Sequence, residues 1–195
     1  MRCIFTAIRD TSLENDGEDN KIVFNLKKRR IDIFCKIDRN AVLMMQAIIE
    51  ELKGSKVRER PVTVVVNTDG GLAFQGLAIY DLVKNSGLKF RTIVLGEVAS
   101  AGLAVVLAGD ERLMHKHASL HFHATAMQFI KPKDSLEQHE EDIQRGQKRV
   151  INKLYYEITS ANSNLRTPQI RRLERNEICI TAEQALQFGL IHKII

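Results

Sequence analysis

Three short segments hold residue types that can break bonds. The first is Gly96-Glu97-Val98-Ala99-Ser100-Ala101-Gly102. A serine among small residues, where a strand gives way to a helix, has the features of an exposed nucleophile. The helix N-terminus adds positive potential, and the next residue's N–H can face an oxyanion. The plain alternative is that Ser100 only caps the helix, since serine is a preferred N-cap. The second segment is Leu120-His121-Phe122-His123. On a strand His121 and His123 share a face. Imidazole changes charge near neutral pH, so one of them suits a general base. Metal ligation is another use for the pair, with His115 and His117 nearby. No carboxylate or cysteine completes a recognisable spacing, so no metal is expected. Structural or surface histidines are the bland alternative. The third segment is Thr68-Asp69-Gly70-Gly71, at the end of a β-branched run. Paired glycines let a backbone approach a ligand and present N–H groups to it. A simple tight turn would use the same residues.

The elements around these segments follow from periodicity. VTVVVN after Pro61 and FRTIVLG read as strands buried on both faces of a parallel sheet. Between them FQGLAIYDLVKNSG reads as a helix ended by Gly87. ASAGLAVVLAG is a small-residue, apolar helix. Leu113 to Met114 and Ser119 to His123 predict two short strands. Ile31, Ile33, Cys35 and Ile37 alternate as a strand does. Asp38 or Asn40 then caps a helix over AVLMMQAIIEEL. Strands alternating with helices at this spacing predict α/β architecture with βαβ units. Further on, Ser135 and Gln138 form a capping box. Leu136, Ile143, Val150, Leu154 and Ile158 then make one stripe on a helix charged elsewhere. A helix of that kind needs a partner along its stripe, so self-association is expected. Thr167-Pro168 and Thr181 to Gln184 begin two more helices, the second ended by Gly189.

A chain of 195 residues fits one domain, or one domain with a small appendage. Residues 12–20 are polar and acidic and read as a loop. The formal charge is +5, but the Lys and Arg are scattered and no aromatic residues interleave with them. Nucleic acid is therefore not expected. Cys3, Cys35 and Cys179 are odd in number and far apart, which fits a reducing compartment, the cytoplasm. No run approaches the length of a membrane span.

Taken together, the three segments resemble the Clp protease proteolytic subunit family over roughly residues 30 to 195. GEVASAG is similar to that family's nucleophile segment and maps it onto Ser100; the family's histidine maps to His123. Asn67-Thr68-Asp69-Gly70-Gly71 matches its glycine-pair segment, and Ala78-Ile79-Tyr80-Asp81 matches letter for letter. Residues 181–190 are similar to its C-terminal motif. The resemblance implies an α/β, crotonase-like fold with a repeated ββα core. Its handle helix would span about 135–161, and residues 1–29 would be an N-terminal segment and a candidate axial gate. It implies a serine endopeptidase in which Ser100 attacks a peptide carbonyl and His123 carries the proton. The N–H groups of Gly71 and Ala101 would form the oxyanion hole. Gly70, Gly71 and Leu72 would pair with an extended substrate. It implies ring-shaped self-association around a chamber, polypeptide substrates and an AAA+ unfoldase ATPase as partner. The chain itself carries no P-loop, so any ATP use would lie in that partner, and no cofactor is expected.

Two departures stand out. The family's third triad member, an aspartate, falls on Leu173, which cannot orient an imidazole. Glu174, Asn176 and Asp69 are the candidate substitutes. The family's glycine-rich stretch after the histidine is replaced by residues 124–130. Two other readings follow: a catalytically weak or silent ring subunit, and a crotonase-like acyl-CoA enzyme.

Overall fold

Strand β3 (Val62–Thr68) explains the sheet's centre. Val62, Val64, Val65 and Val66 are all buried, as a strand covered by helices on both faces must be. The structure, a computed structural model, describes residues 21–55, 60–123 and 137–195. On one side of β3 lie β2 (Arg30–Phe34) and then β1 (Lys21–Asn25); on the other lie β4 (Phe90–Ala99), β5 (Glu111–Met114) and β8 (Lys193–Ile194). All these neighbours are parallel except β1, which runs antiparallel to β2. The sheet thus takes in residues ahead of position 30, with Ile22 and Phe24 in the core. Residues 1–20, including the acidic loop expected at 12–20, lie outside the described residues.

Helix α1 (Arg39–Gly54) starts at Asp38, whose side chain accepts from the Ala41 N–H at 2.9 Å. The sequence left Asp38 and Asn40 open, and the cap is Asp38. Helix α2 (Ala73–Lys84) follows β3. Helix α3 (Ala101–Leu107) follows β4 and is buried along its whole length. A short helix that is apolar all round belongs in the core. Burying Leu103, Val105, Val106 and Leu107 stabilises the fold by roughly 1.5–3 kcal/mol each.

Strand β4 has two sets of neighbours. Arg91 to Val94 pair with β5, and Glu97 to Ala99 pair with β6 (Ser119–His121). Its register with β3 also jumps, from Val66↔Val94 to Thr68↔Val98. The bulge holds Gly96 at φ 66°, a backbone that favours glycine. Strand β6 then pairs antiparallel with β7 (Cys179–Thr181).

The long helix α4 (Glu137–Ala161) precedes α5 (Thr167–Arg175), β7 and α6 (Ala182–Gln187). The expected cap at Ser135 lies outside the described residues, as does Leu136. Of the remaining stripe, Ile143 and Val150 are exposed and Leu154 and Ile158 are partly buried, while Ile151, outside the stripe, is buried. At α6, Thr181 and Gln184 form the expected reciprocal capping box. The C-terminal segment is tied down by buried Arg112. Its guanidinium donates to the carbonyls of Leu190, Gly109, Asn162 and Gly189. Those carbonyls would be orphaned without it. Strands β1, β7 and β8 carry no periodicity that announces them: β1 is a five-residue hairpin partner of β2, and β7 and β8 are two or three residues long with neighbours distant in sequence. Among the described residues no helix is long and apolar enough to cross a membrane.

Candidate active site

Ser100 stands between β4 and α3 with φ 52° and ψ −122°. A residue with a Cβ pays of order 1–3 kcal/mol to hold a rare backbone conformation of this kind. The turn is braced from two sides. The Ser100 N–H donates to the His121 carbonyl at 3.3 Å. Gly70 lies directly behind: a Cβ on it would sit 2.6 Å from Ser100 Cβ and 2.7 Å from the Ala99 carbonyl oxygen. The Ser100 side chain makes no capping hydrogen bond to α3. The simple capping alternative therefore fails, and the hydroxyl is not engaged by the helix it precedes.

The glycine pair is more than a tight turn. Thr68 Oγ1 donates to the Cys35 carbonyl at 2.6 Å and accepts from the Gly70 N–H at 3.0 Å. Ile37 N–H donates to the Gly70 carbonyl, and Leu72 N–H to the Ile37 carbonyl, both at 2.8 Å. This bridge pairs Ile37 with Gly71, so in a parallel ladder the N–H of Gly71 itself points away from Ile37. A Cβ on Gly71 would lie 2.3 Å from the Ile37 carbonyl oxygen, a distance that excludes any larger residue. On the neighbouring helix, Ala101 is the first residue of α3, and its N–H has no acceptor within the helix. Leu72 is half exposed beside the pair.

His123 follows β6 by two residues, and Ser100 follows β4 by one. The two strands are parallel neighbours, with Ala99 opposite His121. Serine and histidine thus emerge at the carboxyl ends of adjacent parallel strands, where α/β sheets place their ligands. His123 lies near enough to Glu174 in α5 to lower its carboxyl's affinity for a proton. Glu174 is partly buried and accepts a hydrogen bond from the Tyr156 hydroxyl at 2.8 Å. Burial pushes its carboxyl above the ordinary carboxylate range. The Tyr156 hydrogen bond, His123 and Arg171 pull it down, but by less. Tyr156 is itself pushed up to about 12, first by burial and then by Glu174.

The other candidates for the third position sit elsewhere. Leu173 packs against the hydrophobic core. Asn176 is exposed as the C-cap of α5, and Asp69 is exposed at the turn before the glycines. Two features were not foreseen. Tyr156, which holds Glu174, lies 18 residues away on another helix. The second is a cluster of Glu97, His121 and Cys179, whose ligand atoms all lie within 4.8 Å of one another. The sequence reading found no carboxylate or cysteine to join the histidines. That expectation is corrected, because β4, β6 and β7 bring one of each to His121.

A parallel sheet that forks along β4, with small-residue helix α3 behind the fork, defines a crotonase-like α/β fold of the Clp peptidase type. The chain belongs to the Clp protease family, whose model matches residues 15–195. A ClpP1 mutant from Listeria monocytogenes is a structural neighbour, with a TM-score of 0.68 and 22% sequence identity. The match covers 87% of this chain and 92% of that one. The family is one of serine peptidases, so its general chemistry is hydrolysis in proteolysis.

Proposed function

We propose that this chain is a serine endopeptidase in which Glu174 stands in for the family's aspartate. Ser100 Oγ attacks a peptide carbonyl carbon while His123 takes the hydroxyl proton. The carbonyl electron pair moves onto oxygen, which the N–H groups of Gly71 and Ala101 stabilise. Collapse of this intermediate breaks the C–N bond, and His123 gives its proton to the leaving amine. Water then releases the acyl group from Ser100 by the same route in reverse. Glu174, held by Tyr156, orients His123 and stabilises the imidazolium. The substrate lies extended along Gly70, Gly71 and Leu72 as an added strand.

The observation that carries the reading is the strained Ser100 turn braced against Gly70. Strain persists where function needs it, and no structural use of the Ser100 side chain competes. Exposed Ile143 and Val150 on α4 support ring-like self-association. The rest of the reading is a chamber fed by an AAA+ unfoldase. Free Cys35 and Cys179 suit a cytoplasmic setting.

A second reading, a silent ring subunit, is favoured by Leu173 at the aspartate's place. Labelling with a fluorophosphonate serine probe separates the two. Labelling that Ser100→Ala abolishes supports the peptidase. An assembled protein that neither labels nor cleaves peptides is a silent subunit.

A further inference from the structure

Glu97, His121 and Cys179 belong to three different strands, yet the registers bring them to one face. Glu97 lies two residues before Ala99 on β4, and Ala99 is opposite His121 on β6. His121 is in turn opposite Cys179 on β7. Residues two apart on a strand share a face, as do cross-strand partners. His121 Nδ1 is 3.4 Å from Glu97 Oε1, and all three ligand atoms fall within 4.8 Å of one another. Glu97 and His121 are partly buried and Cys179 is exposed. The group is therefore held by the sheet but open to solvent on one side.

We infer that these three side chains form a binding site for a divalent transition metal, with zinc the best match. Zinc bonds of about 2.0–2.3 Å to N, O and S at tetrahedral angles place ligand atoms roughly 3.3–3.7 Å apart. The His121–Glu97 separation already has that value. The wider separations close by small rotations of the solvent-facing Cys179 and Glu97 side chains. A thiolate with an imidazole and a carboxylate suits zinc or cobalt, whereas calcium and magnesium prefer oxygen ligands alone. Three protein ligands leave a fourth position for water. None of the three is Ser100, His123, Glu174, Gly71 or Ala101, but the site adjoins the peptidase residues, since the His121 ring packs edge-on against that of His123 at 5.7 Å. The metal would staple β4, β6 and β7 together. Those strands lead to Ser100, to His123 and back to α5 respectively.

A Glu97–His121 ion pair beside an unrelated thiol would show the same static geometry, so the test reads metal directly. The full-length, untagged, reduced and metal-stripped protein is titrated with Co²⁺ alone and followed by optical absorption. One ion per chain is expected, with a thiolate-to-cobalt charge-transfer band and the intense visible bands of a tetrahedral site. Cys179→Ser should abolish the charge-transfer band. Glu97→Gln and His121→Asn should each weaken affinity at least about tenfold, the size of loss seen when a metal's immediate surroundings are disturbed. Zn²⁺ should displace the colour and raise the melting temperature of wild type but not of Cys179→Ser. Ser100→Ala should bind as wild type does, so the result stands whether or not the chain is a peptidase. Absence of the charge-transfer band in wild type overturns the site. So does binding that survives Cys179→Ser and His121→Asn but is lost when His115 and His117 are replaced. Circular dichroism confirms that each variant is folded. Should one fail to fold, the other two decide by the same criteria.

Discussion

The two halves of β4 share one backbone and differ in almost everything around it. Phe90 to Val94 pair with β3 and Arg91 to Val94 with β5 in unbroken register, and Phe90, Thr92 and Val94 are fully buried. Beyond the bulge at Gly96, the strand changes partner to β6 and ends in the strained Ser100. The first half has the surroundings of a core strand. The second has Gly70 pressed against its end, and two carboxylates, two histidines and a cysteine around it. The bulge is what separates the two. It lets one strand anchor the core and still aim a side chain out of the sheet. Stability should therefore depend on the first half and chemistry on the second.

The largest effect expected is at the end of the second half. Ser100→Ala should lower peptide hydrolysis by about 10⁵- to 10⁶-fold, as loss of a nucleophile does elsewhere, with little change in the urea midpoint. Ser100→Gly sharpens the contrast. It should be equally inactive but more stable by about 1 kcal/mol, because glycine accepts φ 52° without strain. A stability loss in Ser100→Gly would mean that the side chain, not the backbone, matters to the fold.

Glu174→Gln comes next, with an expected loss of about 10³- to 10⁴-fold in kcat if it orients His123. Its stability effect should run the other way. The ordinary carboxylate value is 4.5, and burial raises the folded value above it. Stability from this group is fully present below the ordinary value and is lost as pH rises through the raised one. Gln carries no such loss. The variant should therefore gain on wild type in denaturant midpoint as pH rises from acid to neutral. A fall in kcat together with a gain in stability would mark a functional carboxylate. Unchanged kcat would show that Glu174 does not orient His123 and that the peptidase works without a carboxylate at this place.

Phe90→Ala tests the first half. Removing a fully buried ring should cost about 3–5 kcal/mol, while the rate per folded molecule stays within a factor of a few. A parallel collapse of kcat would show that the bulge does not insulate the two halves.

The parallel core and the linear motifs were legible because their signals are local. Four valines in the five residues 62–66 announce β3, and Ser100, His123 and the glycine pair each sit in a short segment of recognisable type. The α4 stripe is local in the same way, and its Ile143 and Val150 are exposed. What could not be read depends on pairings between distant segments. Glu174 is set apart from its neighbours by its burial and by Tyr156, a residue of a different helix. Cys179 meets His121 only because a three-residue strand pairs antiparallel with β6, and three residues carry no periodicity to read. The substitute for an absent residue is thus the hardest thing to find from sequence, since nothing local marks it.

The smallest effect concerns that distant support. Tyr156 does not face the substrate in the proposed mechanism; its hydroxyl holds Glu174 at 2.8 Å and lowers the carboxyl's affinity for a proton. Tyr156→Phe keeps the ring, and with it the contact 5.3 Å from the Arg171 guanidinium. It removes only the hydrogen bond, worth about 1.5 kcal/mol for a charged acceptor. The expected loss is about tenfold in kcat with KM unchanged. Glu174's carboxyl should also rise further, because a group that pulled it down has gone. The low-pH limb of the kcat profile should then move to higher pH. In a Glu174→Gln background the same substitution should do nothing more to kcat. If the two losses instead multiply, Tyr156 acts on the fold of α4 and α5 rather than through Glu174, and the carboxylate must be positioned by something else.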